Sequence, residues 1–217
     1  MTRRVAILIS GRGSNMTALI EAAKADDFPA EIVVVISNKA DAGGLAKARE
    51  CGIPTLVIES KAFGRDRAGF ETALQSALED KQVELICLGG FMRLFTAGFV
   101  QRWHGRILNI HPSLLPSFPG LDPHGQALRA GVKISGATVH FVTPETDAGP
   151  IVVQGAVAVR DDDTPDTLAA RVLAIEHRIY PNALRLVASG GTQLQGDVCK
   201  TKANAPLDDI LISPDVI

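Results

Sequence analysis

The amino-acid sequence predicts an α/β fold with a doubly wound, mostly parallel sheet and an antiparallel strand pair at one side. Short apolar runs rich in β-branched residues alternate with stretches of helical length, as in parallel sheets covered by helices. Polar or glycine-rich segments follow several of these runs, where open α/β sheets bind their ligands. Two later strand-like runs, 136–142 and 151–159, are joined by a short loop, which favours antiparallel pairing.

The remaining elements follow one another in a regular order. Further strands are expected at residues 5–9, 32–36, 55–58, 85–88 and 107–110. Helices are expected near residues 19–23, 44–51, 66–79, 96–103 and 124–130. Because parallel strands need long crossover connections, this alternation is what a parallel sheet requires.

A longer helix is expected to begin at Thr164 and Pro165, which suit its cap and first turn. Apolar residues at positions 168, 172, 175 and 179 step by four, three and four, so they form one buried stripe. This stripe leaves Glu176 off the buried face. Pro181 is expected to end or kink the helix, because proline lacks the N–H that a helix interior needs.

Composition predicts one globular domain of ordinary size. The chain has 217 residues, 46% of them hydrophobic and 21% charged, which is enough to bury a substantial core. We expect a single domain at residues 1–190. The tail at residues 191–217 is expected to be a short hairpin or a loosely ordered end.

Charge and cysteine content narrow the classes of partner and compartment. A formal net charge of -2 with scattered arginines gives no basic surface for nucleic acid, so no nucleic-acid partner is expected. Three widely separated cysteines indicate neither a disulfide framework nor a zinc site. No apolar run has membrane-spanning length, so no membrane partner is expected. These features predict a cytoplasmic protein.

A glycine-rich turn follows the first strand and opens the first helix. In Ser10-Gly11-Arg12-Gly13-Ser14-Asn15, the backbone N–H groups at a helix N-terminus and the side chains of Ser14 and Asn15 suit a phosphate. Met16 stands where a dinucleotide fingerprint has its third glycine, which argues against a dinucleotide. The alternative is a tight turn and helix cap with no ligand.

The segment Gly89-Gly90-Phe91-Met92-Arg93-Leu94-Phe95 leaves the carboxyl end of a predicted strand. Two glycines allow a ligand to approach the backbone, and the apolar side chains can line a pocket. Taken alone, apolar residues in such a segment are more often part of core packing. Both interpretations stay open at this point.

Asn109-Ile110-His111-Pro112 follows an apolar run and carries groups suited to carbonyl chemistry. Asn109 can donate a hydrogen bond to a carbonyl oxygen, and a protonated His111 can stabilise the oxyanion formed when that carbonyl is attacked. Asp147 can hold the imidazolium or collect a proton from an attacking amine. No activated serine or cysteine accompanies them, which argues for direct transfer to a bound nucleophile.

Zinc hydrolysis is a rival interpretation of the same region. Its candidate ligands are His111, His124, His140 and Asp147. No HExxH motif or similar pair stands at helical spacing, so a metal site is not expected. The residues alone therefore predict an acyl-type transferase or hydrolase.

Several motifs together resemble the folate-dependent phosphoribosylglycinamide formyltransferase family. They are Ser10 to Asn15, Gly90-Phe91-Met92-Arg93, Asn109 to Pro116, and Gly136 through Asp147-Ala148-Gly149-Pro150. The resemblance covers about residues 4–190. It implies a Rossmann-like formyltransferase fold and transfer of a formyl group from 10-formyltetrahydrofolate to the amine of glycinamide ribonucleotide, as in purine synthesis.

The resemblance also implies roles for individual positions. Asn109, His111 and Asp147 match the catalytic trio, and Asn109 also faces the cofactor. Gly13, Ser14, Asn15 and Glu176 match residues that hold the ribonucleotide. The folate pocket matches Arg67, Met92, Arg93, Leu94 and Phe95, with Arg65 as the alternative to Arg67.

The implied partners are two small molecules, formyl-folate and glycinamide ribonucleotide, with no metal. The chain is expected to be a monomer or a homodimer. Related formyltransferases act on other acceptors and usually have an additional domain, for which 217 residues leave no room. Two alternatives remain at this stage: a 10-formyltetrahydrofolate hydrolase and a non-catalytic nucleotide-binding α/β module.

Overall fold

The computed structural model describes residues 2–202, and its elements follow the predicted order. The strands of the main sheet are β1 (Arg3–Ile9), β2 (Ala30–Ser37), β3 (Thr55–Val57), β4 (Leu85–Leu88), β5 (Ile107–His111), β6 (Ile134–Phe141) and β7 (Ile151–Ala158). The helices are α1 (Ser14–Ala22), α2 (Gly44–Glu50), α3 (Arg67–Asp80), α4 (Ala97–Arg102), α5 (Pro123–Ala130) and α6 (Pro165–Ala188). A short 3₁₀ helix spans Ser60–Phe63.

The main sheet confirms the predicted fold class. Its strand order is β3-β2-β1-β4-β5-β6-β7. The first five strands in this order run parallel, whereas β6 is antiparallel to β5 and β7 is antiparallel to β6. The chain moves outward from β1 in one direction and from β4 in the other, so these neighbours form the switch point where open α/β sheets bind ligands.

Helices cover both faces of the sheet. Successive side chains of β1 point to opposite faces of the sheet, as in any β-strand. Val5, Ile7 and Ile9 pack in a cluster with residues of α1, α2, α5 and α6. Ala6 and Leu8 join the opposite cluster, which includes residues of α3 and α4. Both faces are buried, which explains the nearly continuous apolar run at β1.

Helix α6 continues through Pro181, so of the two expected outcomes, an end or a kink at this proline, the end is wrong. A proline removes one helical hydrogen bond, but the helix around it is fixed by burial. Tyr180, Ala183 and Leu184 are fully buried in the core cluster. Glu176 is also buried, because Asn15 of α1 contacts it, so the prediction that it lies off the buried face of the helix is wrong.

A hairpin follows the main sheet, with β8 at Thr192–Gln195 and β9 at Val198–Thr201. Its strands pair antiparallel, and Leu194 and Cys199 pack against the core cluster. The predicted tail beyond residue 202, including the apolar residues 210–212, lies outside the described residues. Within residues 2–202, no helix combines the length and apolarity that a membrane crossing requires.

Candidate active site

Asn109 lies near the carboxyl end of β5, opposite His140 of β6. Its Nδ2 atom is 3.2 Å from Nε2 of His140, and Nδ1 of His140 is 2.9 Å from the carbonyl oxygen of Phe141. A carbonyl only accepts, so Nδ1 donates and Nε2 of the neutral ring accepts from Asn109. Burial, the largest cause, lowers the pKa of His140 and favours this neutral ring. The second N–H of the Asn109 amide has no acceptor among the described residues, so it is available to a ligand.

His111 is the last residue of β5, and both of its ring nitrogens face oxygen atoms. Nε2 is 3.0 Å from the carbonyl oxygen of Phe118, and Nδ1 is 3.4 Å from Oδ2 of Asp147. An imidazole ring donates from both nitrogens only as an imidazolium. The ring is 6% exposed, so its interactions are little screened by solvent.

Asp147 reaches the centre from the loop between β6 and β7. Its backbone has φ 54°, a left-handed conformation that Asp tolerates better than most residues. Oδ2 accepts a hydrogen bond from the backbone N–H of Gly120 at 2.9 Å, and Oδ1 is 3.9 Å from Nε2 of His140. The carboxylate thus joins His111, His140 and the loop at residues 118–120 in one cluster.

The segment after His111 is fixed to β6 and β7. Thr138 donates to the carbonyl oxygen of Ser113 at 2.7 Å and accepts from the N–H of Leu115 at 3.0 Å. Gln154 donates to the carbonyl oxygen of Leu115 at 2.9 Å. These bonds hold the proline-rich segment against the sheet, so the backbone that follows His111 is fixed in place.

Gly13, Ser14 and Asn15 lie at the start of α1, directly after β1. Gly13 has φ 68°, and a Cβ on it would lie 3.0 Å from the Cα atom of Gly44, so glycine is required there. No side chain caps this end of the helix. Its first N–H groups therefore remain available for an anion, as the sequence predicts.

Asn15 and Glu176 connect the glycine turn to α6. Nδ2 of Asn15 donates to Oε2 of Glu176 at 2.6 Å, while Oδ1 of Asn15 is buried without a hydrogen-bond partner. Burial, the largest cause, raises the pKa of Glu176, and the bond from Asn15 opposes this shift. An unpaired buried acceptor beside a buried carboxyl group suits a ligand that donates hydrogen bonds.

The segment at residues 90–95 divides its side chains between core and surface. Phe91 and Phe95 belong to an aromatic row, with ring centroids 5.6 Å apart. Met92 and Leu94 are 70% and 60% exposed. The aromatic residues therefore pack against the core, and the alternating aliphatic residues face outward, where a ligand pocket stays a prediction.

The basic residues of this region lie at its margin. Arg67 is the first residue of α3 and is exposed, as is Arg65. Arg93 is half-buried, and its guanidinium carbon lies 5.3 Å from the ring centroid of Phe70. Within residues 2–202, no group of three or more His, Cys, Asp or Glu side chains could hold a metal ion.

Three contributions to this site were missed at the sequence level. His140 entered only as a candidate zinc ligand, although it contacts Asn109. The Phe118 carbonyl and the Gly120 N–H contact His111 and Asp147 through backbone atoms. Only the register of β5 on β6 brings His140 opposite Asn109, and backbone contacts leave no mark on residue type, so no local sequence signal indicates these contributions.

Comparisons with known proteins place this geometry in a family. A family model described as "Formyl transferase" matches residues 3–184. The phosphoribosylglycinamide formyltransferase of Escherichia coli (strain K12) is 43% identical over 186 residues, covering 86% of this chain and 87% of the relative. A crystal structure of phosphoribosylglycinamide formyltransferase from Brucella melitensis is 56% identical, with a TM-score of 0.84, covering 88% of this chain and 97% of that chain.

A longer relative shows that this unit also occurs within larger proteins. The trifunctional purine biosynthetic protein adenosine-3 of Bos taurus is 52% identical over 198 residues, which are 90% of this chain. This chain spans only 20% of the length of that relative. The family model nevertheless covers most of the residues from β1 to α6, which form the main sheet and the candidate site. The chain therefore belongs to the formyl transferase family.

Proposed function

We propose that this chain transfers the formyl group of 10-formyltetrahydrofolate to the amino group of phosphoribosylglycinamide in purine biosynthesis. The observation that carries the proposal is the cluster of Asn109, His111 and Asp147 at the carboxyl end of β5. Relatives that match most of the chain are named for this reaction. We therefore assign these three residues as the catalytic groups.

The phosphorylated acceptor fits the turn at Gly13, Ser14 and Asn15. The free N–H groups at the start of α1 suit its phosphate. Glu176 and the unpaired Oδ1 of Asn15 supply buried acceptors for its hydroxyl or amino groups. This arrangement supports a small phosphorylated amine better than an uncharged acceptor.

The folate fits the segment at residues 90–95. Exposed Met92 and Leu94 offer apolar contacts to a flat ring. Arg93 contacts the ring of Phe70, and Phe95 stacks on Phe99, so both side chains attach the segment to the core. Arg67, with Arg65 as the alternative, supplies positive charge for the carboxylates of the folate tail. When bound, the folate supplies the formyl carbon; the chain supplies the polar environment around it.

Transfer by direct attack needs an oxyanion partner and a path for one proton. The free Asn109 N–H donates to the oxygen that becomes negative as the amine attacks, and an imidazolium at His111 supplies positive charge close to that oxygen. Asp147 balances the charge of His111 and takes up the proton that the amine must lose. The proton then passes from Asp147 to the departing folate nitrogen as its bond to the formyl carbon breaks, so the tetrahedral species expels tetrahydrofolate and no covalent enzyme intermediate forms.

An assay with 10-formyltetrahydrofolate, with and without phosphoribosylglycinamide, tests this function. We expect release of tetrahydrofolate and formation of the N-formyl product only when the acceptor is present. Release at an equal rate without acceptor would identify a hydrolase, and the absence of turnover in both mixtures would leave a nucleotide-binding module.

We further propose that the protein works in the cytoplasm, as a monomer or homodimer, without nucleic-acid or membrane partners. A reducing compartment suits the free thiols at Cys51, Cys87 and Cys199. Sedimentation of the purified protein at several concentrations distinguishes a monomer from a homodimer.

A further inference from the structure

The segment at residues 90–95 has few polar ties to the rest of the protein. In the described part of the chain, the N–H of Met92 is the one backbone N–H of this segment with a hydrogen-bond partner. It donates to Oγ of Ser10 at 2.8 Å. Just beyond the segment, Thr96 donates its N–H to Glu71 at 2.6 Å. The position of Met92 therefore depends on Ser10.

Ser10 belongs to a buried polar network that joins three other parts of the fold. Its hydroxyl donates to Oδ1 of Asn38 at 2.6 Å, and Nδ2 of Asn38 donates to Oγ of Ser60 at 3.2 Å. The backbone N–H of Ser60 donates a hydrogen bond to the carbonyl oxygen of Asn38 at 3.2 Å. All three residues are less than 9% exposed, so water does not readily replace these bonds.

The network connects the two ligand regions of the candidate site. Ser10 directly precedes the glycine turn that leads to Gly13, and through Met92 it also holds the apolar segment. The single hydroxyl proton of Ser10 is donated to Oδ1 of Asn38, so the hydroxyl cannot rotate away without losing that bond. This bond fixes the orientation of the hydroxyl that receives the Met92 N–H.

We propose that Ser10, oriented by Asn38 and Ser60, is a positioning residue that sets the segment at residues 90–95 for folate binding. This inference rests on the proposed function for its choice of ligand. Ser10 itself lies beneath the segment and does not contact the reacting atoms in this proposal. Its loss should weaken folate binding while leaving the chemical step largely intact.

The test compares Ser10→Ala with Ser37→Ala as a matched control. Ser37 is buried at the neighbouring strand end, but its hydroxyl bonds to the carbonyl oxygen of Lys39 and not to the segment. We expect Ser10→Ala to raise the dissociation constant for tetrahydrofolate and the KM for formyl-folate roughly tenfold, with kcat and the KM for the ribonucleotide changed by less than about threefold. Ser37→Ala should leave both folate values unchanged.

Amide hydrogen exchange of Met92 provides a readout that does not depend on turnover. Ser10→Ala should accelerate this exchange, Ser37→Ala should not, and Ser10→Thr should restore protection because it keeps the hydroxyl. If Ser10→Ala does not fold, Asn38→Ala should give the same pattern, since it removes the acceptor that orients the hydroxyl. Unchanged exchange of Met92, or equal effects on both substrates, would overturn the proposal. A wild-type protein without formyl transfer would refute the proposed function but leave the exchange result interpretable.

Discussion

The candidate reaction centre, formed by Asn109, His111 and Asp147, and the segment at residues 90–95 lie at the same edge of the sheet but are built differently. In the centre, Asn109, His111 and Asp147 each have defined partners, including His140 and two backbone groups. In the segment, exposed Met92 and Leu94 lie on a backbone held by one N–H. Groups that stabilise charge need fixed positions before the substrate arrives, whereas a contact surface for a flat ring consists mainly of apolar side chains with few polar groups.

This contrast predicts that substitutions in the two regions affect different kinetic constants. Changes in the centre should lower kcat, because they remove interactions made to the transition state. Changes in the segment should raise KM for the folate, because they remove interactions made equally in the ground state.

His111→Ala should have the largest effect. It removes the cation that stabilises the oxyanion, so kcat should fall by a factor on the order of 10² to 10³ with little change in either KM. His104→Ala is the matched control, because His104 is exposed and follows α4. Steady-state kinetics with both substrates varied provide the measurement. A variant that kept wild-type kcat would remove His111 from the chemistry.

Glu176→Gln should have the next largest effect. It should weaken binding of the ribonucleotide and raise the stability of the fold at neutral pH. Loss of the carboxylate should raise KM for the ribonucleotide about tenfold, the scale of one charged hydrogen bond. Burial raises the pKa of Glu176, so its favourable contribution to folding is present below the unfolded carboxyl pKa and is lost as pH rises through the folded pKa. The variant should therefore have a higher Tm than wild type at pH 7.5 and no such gain at pH 4.

Glu84→Gln is the control, because the pKa of Glu84 is shifted in the opposite direction. The N–H of Arg4 and the guanidinium of Arg3 lower the pKa of Glu84, so its contribution is present above the unfolded pKa and is lost as pH falls. This variant should slightly lower Tm at pH 7.5 and leave KM unchanged. Equal shifts of Tm at both pH values for Glu176→Gln would show that burial of its charge does not affect folding.

The sequence predicted the sheet well because local signals agreed with the tertiary structure. Apolar β-branched runs, glycine turns and helix caps all occur within a few residues of the boundaries that the structure has. The antiparallel pair was also predictable, since a short loop cannot make a parallel crossover. These signals located Asn109, His111 and Asp147 at strand ends and loops, but not their distances.

The contacts that organise the site depend on packing between distant elements. Glu176 lies off the apolar stripe of α6, yet α1 covers it, so helix periodicity could not predict its burial. Helix α6 passes Pro181 because core contacts on both sides outweigh one missing hydrogen bond. His140 requires the register of β5 on β6, which no local pattern specifies.

Met92→Ala should have a smaller effect confined to the folate. Met92 is 70% exposed, so truncation removes ligand contacts and little packing. The KM for formyl-folate should rise roughly three- to tenfold, the range for losing part of one apolar contact, while kcat stays near the wild-type value. Val198→Ala, which alters another exposed apolar side chain, is the control. A fall in kcat with unchanged KM would contradict the division between the two regions.

His140→Gln should have the smallest effect, which is measured as a change in the pH dependence of stability. Burial lowers the pKa of His140, so its contribution is present above the unfolded value of about 6.5 and is lost as pH falls through the folded pKa. Gln cannot titrate but offers Asn109 an acceptor, so the variant should lose less unfolding free energy than wild type between pH 7.5 and 5.

Denaturant unfolding at each pH measures this slope. His124 and His177 also have pKa values lowered by burial, but they are present in both proteins and therefore cancel in the comparison. If the pH dependence of the unfolding free energy is the same in both proteins, neutral His140 does not contribute to the stability of the centre. In that case, Asp147 and the pairing of β5 with β6 would fix the position of Asn109. The centre would then differ from the segment at residues 90–95 in its backbone hydrogen bonds and not in the His140 side chain.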